Sequence, residues 1–509
     1  MVTDSIHYMT AAMATSARRV LAPPRLLIAG LILCAVAVVL CGCALGSVMP
    51  SRAIGYGSVA LACWASGLLC LAGSRRGDLG LARWKLGSWM LLWYAAATGL
   101  ATLAWGSSSY EGQIAASSVV RALWLIAVAV TCWAAGYAAG PSALVRQWSA
   151  RGMSRLAARR STVVRGPLAP WALYAIATAA RIATAATTGR LGYVGSISSA
   201  TSATSYGQAL AALSLLAPLG VMAAALRAYR EQVPGARLTL AVLFLAEMVY
   251  GAVSGDKSVF VIAVLAVVIP ATAARRRMPK AAVIAGIAVF LTLVIPFTAS
   301  YRASSRSSTA TLSASQAVDE APGILRQDVT ASGMIRAIPA SASYLLQRIS
   351  NISGPAVIMM RTPSQIPWAS PAQLVTGPVA SLIPRALWPG KPILDAGYQF
   401  SQQYYELPSD VYTASSITPA GDLYRHGGWA PVIAGMFLLG GLVRLFDDVL
   451  DVCAKPHAGF GVLAFFPVLV MGESDWVTLL AGIPVTLAMW LLSVSLAFRP
   501  AAQKAVLVS

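Results

Sequence analysis

Tyr301-Arg302-Ala-Ser-Ser-Arg306 opens, and Gly421-Asp422-Leu-Tyr424-Arg425-His426-Gly427-Gly428 closes, a polar interruption of well over a hundred residues in a chain otherwise built of apolar runs. The stretch carries nine Lys/Arg, seven Asp/Glu and many prolines. Water has to hold it, because such groups are expensive in hydrocarbon. It also has internal pattern. Leu345, Leu346, Ile349 and Ile352 recur at helical spacing around Gln347, Arg348 and Ser350, which predicts an amphipathic helix lying on the membrane surface or on the protein. In Leu382-Ile-Pro-Arg385-Ala-Leu-Trp388-Pro-Gly-Lys391-Pro392, three prolines rule out a long helix and fix the backbone around two cations.

Outward from this stretch the chain is of membrane type: 57% of its 509 residues are hydrophobic and 11% charged, with mean hydropathy +0.69. A crossing needs about 20 mostly apolar residues. On that rule twelve runs qualify, near 26–46, 54–73, 86–105, 119–139, 168–188, 208–226, 238–254, 258–274, 281–299, 429–446, 459–471 and 477–497. The expected fold is an all-α, polytopic transmembrane helical bundle. Residues 1–299 supply about nine spans, 300–428 one large loop with short amphipathic helices, and 429–509 about three more spans.

The net charge of +20 would suit a nucleic-acid binder, but its distribution excludes that partner. With the N-terminus inside, the inner segments hold 24 Lys/Arg and the short outer connections only Arg52, Arg121, Arg190 and Lys257. This is the positive-inside bias, and it places both termini in the cytoplasm and the long loop on the outer face of the cytoplasmic membrane. The Arg-rich inner stretch Arg146–Arg165 reads as a topology anchor on anionic lipid. Seven cysteines, none in the large loop, imply neither a disulfide framework nor a thiolate metal site. Leu40-Cys-Gly-Cys43 follows an apolar run long enough to be retained as a helix rather than cleaved.

Ionisable groups at membrane depth face a protein interior or a wet cavity. Arg181 lies in the fifth run and Glu247 in the seventh, and Gly255-Asp256-Lys257 breaks the seventh from the eighth at the outer face. Together with Arg302, Arg385, Lys391 and Arg425, these place several cations on one side. A lipid diphosphate presented at the outer leaflet needs such donors, and a carboxylate or imidazole is needed to take a proton from an attacking hydroxyl. Asp422, His426 and Asp256 are the candidates for that second role. Asp422 leads, since glycines flank its motif where the tenth run begins. His426, four residues on, shares a helix face with it if that span starts early. Structural readings stand beside these: a structural pair or a snorkelling end for Arg181 and Glu247, a turn with a local ion pair for Asp256 and Lys257, a satisfied interfacial ring for His426. The chain has no P-loop, no His-Glu-x-x-His, no Gly-x-Ser-x-Gly and no metal-ligand spacing.

Three places resemble the Wzy-like O-antigen and capsule repeat-unit polymerases. They are Gly255-Asp-Lys257 after Glu247, Phe297-Thr-Ala-Ser-Tyr301-Arg302, and Ile383-Pro-Arg385-Ala-Leu-Trp388-Pro-Gly-Lys391-Pro392 followed by Ile417-Thr-Pro-Ala-Gly421-Asp422-Leu-Tyr424 and the glycine-rich Gly435–Gly441. The resemblance covers about the second half of the chain. It departs where that family commonly has Glu at position 422 and Asn-Phe-Gly after the tyrosine.

It implies a metal-independent, cofactor-free membrane glycosyltransferase of the GT-C kind that polymerises undecaprenyl-diphosphate-linked oligosaccharide units at the outer leaflet into a cell-surface polysaccharide. Asp422, His426 and Asp256 would be catalytic. Arg302, Arg385, Lys391, Lys257 and Arg425 would bind the diphosphate, with Glu247, Tyr301 and Tyr424 in support. Partners would be the lipid-linked oligosaccharide, membrane lipids, a flippase and a chain-length regulator. The alternatives are a transporter or flippase of a lipid-linked saccharide, disfavoured because no inverted repeat is visible, and a glycan ligase, which sequence does not separate from a polymerase.

Overall fold

The computed structural model describes residues 24–74, 81–106, 113–188, 191, 207–275, 280–298, 301, 346–347, 349–383, 387–388, 396–408, 415–452, 455–471 and 473–500. The first half supplies α1 (Pro24–Gly46), α2 (Pro50–Ser74), α3 (Leu86–Trp93), α4 (Ala116–Ala139), α5 (Ala143–Arg159) and α6 (Leu168–Thr188). Next come α7 (Gly207–Ser214), α8 (Leu216–Tyr229), α9 (Ala236–Ser254), α10 (Lys257–Arg275) and α11 (Lys280–Val289). The polar stretch contributes α12 (Ser353–Arg361), α13 (Gln373–Leu382), α14 (Ala396–Tyr405) and α15 (Pro419–Arg425), and the chain returns to apolar sequence in α16 (Trp429–Val449), α17 (Pro456–Phe465) and α18 (Trp476–Ala497).

The all-helical expectation holds, and the described strands are β1 (Arg160–Val164) and β2 (Phe498–Pro500), an antiparallel pair. Each of the twelve apolar runs falls on helix. Among the described residues, eight helices are long and apolar enough to cross a membrane: Arg25–Gly46, Pro50–Ser74, Leu86–Ala104, Ala116–Ala139, Ala209–Tyr229, Ala236–Ser254, Trp429–Val449 and Trp476–Ala497. Lys257–Ala273, Ile284–Thr298 and Pro456–Val470 are apolar but shorter. Two of these widen into π-helical turns, at Phe290–Val294 and Phe466–Val470. Within the amphipathic helix expected over Leu345–Ile352, the amide of Ser350 closes one turn on Leu346 O, and the regular helix begins at Ser353.

α8 is the central post. It is buried along nearly its whole length, as a helix apolar on all sides must be, and α6, α9 and α10 pack around it. α4 and α16 cross so closely that only glycine fits: a Cβ on Gly136 would lie 1.9 Å from Phe437 O, and one on Gly440 2.0 Å from Trp133 O. Such small-residue contacts are how helices approach in hydrocarbon. Gly440, with Gly136 facing it, is therefore a packing device. Gly255, in the left-handed region at φ +64°, ends α9 and turns the chain into α10.

Several bridges between segments lie at two rims, where helices end. At one, Trp84 Nε1 donates to Thr272 Oγ1 (2.7 Å) and the Val164 amide to Glu231 Oε1 (2.7 Å), beside the β1–β2 ribbon. Asp447 of α16 accepts there from the amides of Leu86 (2.6 Å) and Gly87 (3.0 Å), capping the start of α3, while its carbonyl accepts from Lys85 Nζ. At the other rim the polar stretch folds back over the helix ends. α12 packs on α4, α13 on α18, and α15 on α16.

Candidate functional site

The second rim is organised by the seven-residue helix α15. Thr418 caps it, its hydroxyl accepting from the Gly421 amide at 3.2 Å, and Pro419 occupies the first position, where a missing N–H does no harm. This holds Asp422 inside the protein with no exposed surface. Asp422 Oδ1 accepts from Arg425 Nε (2.9 Å) and Nη2 (2.7 Å), and Oδ2 accepts from the Trp476 amide (3.0 Å) at the start of α18. Burial pushes the carboxyl pKa above its ordinary value; Arg425 pulls it back, and neighbouring Asp475 adds to the rise. With both oxygens accepting, Asp422 ties the end of the polar stretch to the last long helix.

His426 follows α15 and is almost wholly buried. Its Nδ1–H donates to the Asp422 carbonyl at 2.8 Å, since a carbonyl can only accept, and Asp422 Oδ1 lies 3.5 Å away. That bond sets the tautomer. Nε2 meets the side-chain amide of Gln373, whose Oε1 is 3.3 Å distant. With Nδ1 held by the carbonyl, Nε2 is the ring nitrogen open to proton exchange once the Gln373 amide moves off it. Tyr424 presents its edge region to Trp368 (5.5 Å) and Trp429 (5.8 Å), and both tryptophans are about two-fifths exposed. The Ala369 amide donates to Arg425 O (3.0 Å), so the Trp368 loop is docked on the same helix. Around it, Thr362 bonds Tyr404 (2.8 Å) and Arg361 pairs with Glu406.

Of the residues expected at the site, Asp422, Tyr424, Arg425 and His426 come together here. Arg181 and Glu247 form a buried bidentate pair of their own, Nη1–Oε2 2.8 Å and Nη2–Oε1 2.7 Å, with the guanidinium 3.7 Å over the Tyr250 ring. Asp256 Oδ1 accepts from the Ser258 amide (2.9 Å) and hydroxyl (2.8 Å), capping α10, whose first residue is Lys257. Tyr301 is buried, stacks on Phe297 and donates to Val253 O at 2.8 Å. Arg302, Arg385 and Lys391 lie outside the described residues. Gln373, Trp476 and Asp475 were not anticipated, and a main-chain amide such as that of Trp476 leaves no signature in a sequence.

The profile of a family described as a domain of unknown function, DUF8712, matches residues 177–453. The chain belongs to this family. Neither a curated protein nor a solved structure matches it. The DUF8712 region takes in Arg181, Glu247, Asp256, the whole polar stretch, α15 and Asp447, and it stops before Asp475 and Trp476, which complete the Asp422 clamp from α18.

Proposed function

We propose that this DUF8712 member is a Wzy-like glycosyltransferase of the cytoplasmic membrane, with twelve spans, both termini cytoplasmic and the polar stretch outside. It would polymerise undecaprenyl-diphosphate-linked oligosaccharide units. The observation that carries the reading is that one short helix brings Arg425 and His426 beside the exposed pair Trp368 and Trp429, which meet its Tyr424, at the rim where the polar stretch meets the helix ends. The two rims support the topology. Every rim bridge described above joins segments that the distribution of arginines assigns to the same side: Trp84 with Thr272, Lys85 with Asp447 and β1 with β2 inside, Tyr301 with Val253 and Asp422 with Trp476 outside.

In this reaction an acceptor sugar hydroxyl attacks the anomeric carbon of the growing glycan. The new glycosidic C–O bond forms as the anomeric C–O bond to the lipid diphosphate breaks, and the diphosphate leaves with the electron pair. The hydroxyl proton passes to His426 Nε2 once the Gln373 side chain has rotated away. His426 takes this role before Asp422 because both Asp422 oxygens are already engaged. Arg425, Arg302, Arg385, Lys391 and Lys257 would neutralise the leaving diphosphate, and the faces of Trp368 and Trp429 would meet sugar rings.

Purified protein with a synthetic lipid-linked repeat unit tests the proposal. Wild type should build polymer. Arg302→Ala and Arg385→Ala should each lose it by about a hundredfold, the scale of one charge-assisted contact in a dry site, and His426→Ala by a similar factor. Polymer of normal length and rate from all three variants would refute the reading. Cysteine labelling in intact cells should reach positions 315 and 373 from outside and position 155 only after permeabilisation; the reverse pattern would overturn the topology.

A further inference from the structure

We propose that a cavity between α1, α2 and α4 holds one acyl chain of a bilayer phospholipid. The cavity measures about 360 Å³ and is walled by Ala37 and Cys41 of α1, Ala60 and Trp64 of α2, and Ala127 and Cys132 of α4. All three are among the helices long and apolar enough to cross a membrane. α1 and α2 are locked together at one end, where a Cβ on Gly67 would come within 2.6 Å of Cys34 Sγ and one on Gly30 within 2.9 Å of Leu71 Cγ. Beyond that contact, towards the loop at residues 46–50, the two helices and α4 border the opening. Val38 on its rim is 63% exposed, and neighbouring Val39 and Leu31 on α1 are exposed as well. The mouth is thus set in an apolar outer surface that only hydrocarbon can cover.

The wall is almost wholly apolar. In it Trp64 Nε1 donates to Thr131 Oγ1 at 2.9 Å, and that hydroxyl donates to Ala127 O at 2.7 Å. An apolar cavity without polar partners stays dry and takes apolar guests. The occupant is the bilayer's own hydrocarbon, because the mouth opens onto the surface that lipid covers. The lining on α4 runs from Val120 to Cys132, about 18 Å at 1.5 Å per residue, so the guest lies along the helix. The site falls outside the DUF8712 match and does not rest on the transferase reading.

The test uses the full chain in nanodiscs of phosphatidylglycerol containing a phospholipid with a photoreactive diazirine on its acyl chain. After illumination, adducts should concentrate on residues 57–64 and 120–132 over the outward positions Leu31 and Val39. Ala127→Phe, or the milder Cys41→Leu if the former fails to fold, should lose that excess while labelling of the outward positions persists. Even labelling of wall and outer surface, or an excess unchanged in the filled variants, would overturn the proposal. Displacement of the label by polyprenyl phosphate, with no displacement by added phospholipid, would also overturn it and give the cavity to the other lipid.

Discussion

Asp422→Ala separates a structural carboxylate from a chemical one. The substitution leaves the Arg425 guanidinium without its partner and the Trp476 amide without an acceptor. Removing one member of a buried ion pair costs about 3–5 kcal/mol, and an orphaned buried N–H about 1–3 kcal/mol. The terms overlap, and Arg425 is 14% exposed, so water recovers part of the loss. About 3 kcal/mol remains, which at 1.36 kcal/mol per decade is over a hundredfold in the local opening equilibrium. Amide hydrogen exchange followed by mass spectrometry should therefore speed up by that factor over 415–428 and 473–479, with no change over 86–93 at the other rim. Asp422→Asn, which keeps an acceptor for the Trp476 amide, should fall between. Asp422→Ala with Arg425→Met should exchange more slowly than Asp422→Ala alone, because the unpaired cation is gone. Unchanged exchange in Asp422→Ala would refute the clamp, and Asp422→Asn with wild-type exchange but no transfer activity would return the carboxylate to the role of base.

Glu247→Gln and Arg181→Met should each lower the yield of folded protein, at about 3–5 kcal/mol for breaking a buried pair, while the double variant recovers part of the loss; detergent thermal-shift midpoints check this, and a double variant no better than the worse single one counts against it. Asp447→Ala removes the acceptor for Leu86 and Gly87 and should cost about 2–4 kcal/mol, in line with a lost cap and buried network, read as faster exchange over 86–93; unchanged exchange there would show that α3 needs no cap from α16. Gly440→Ala forces α4 and α16 apart and should lower the thermal midpoint by the equivalent of about 1–3 kcal/mol, whereas Gly441→Ala, whose Cβ would sit 3.8 Å from Gly136 O, should be neutral. Equal midpoints for the two glycine variants would contradict the crossing geometry.

The long apolar helices were legible because hydrocarbon tolerates so few sequences. Arg181 and Glu247 were legible as charges out of place, although nothing in their spacing of 66 residues announced a bidentate bond. Asp447 escaped notice because Arg444, Asp447 and Asp448 look like the ordinary polar end of a span, and its partners are two main-chain amides about 360 residues away and the Tyr137 hydroxyl. The proximity of Asp422 and His426 was expected from an early start of the tenth span. It arises instead from a separate short helix, with Gly427 and Gly428 turning the chain before α16. Burial is what sequence conveyed least. The glycines flanking its motif put Asp422 first among the proton acceptors, while the fold closes the carboxylate on every side.

The β1–β2 ribbon sets an order on biogenesis. β1 leaves the ribosome roughly 330 residues before β2, and at about 5–20 residues per second the wait is on the order of half a minute. Through that interval the edge of β1 is an unpaired strand, open to chaperones, proteases or a neighbouring chain at the same translocon. The ribbon closes only after α18 has been made, joining the segment after α5 to the end of α18.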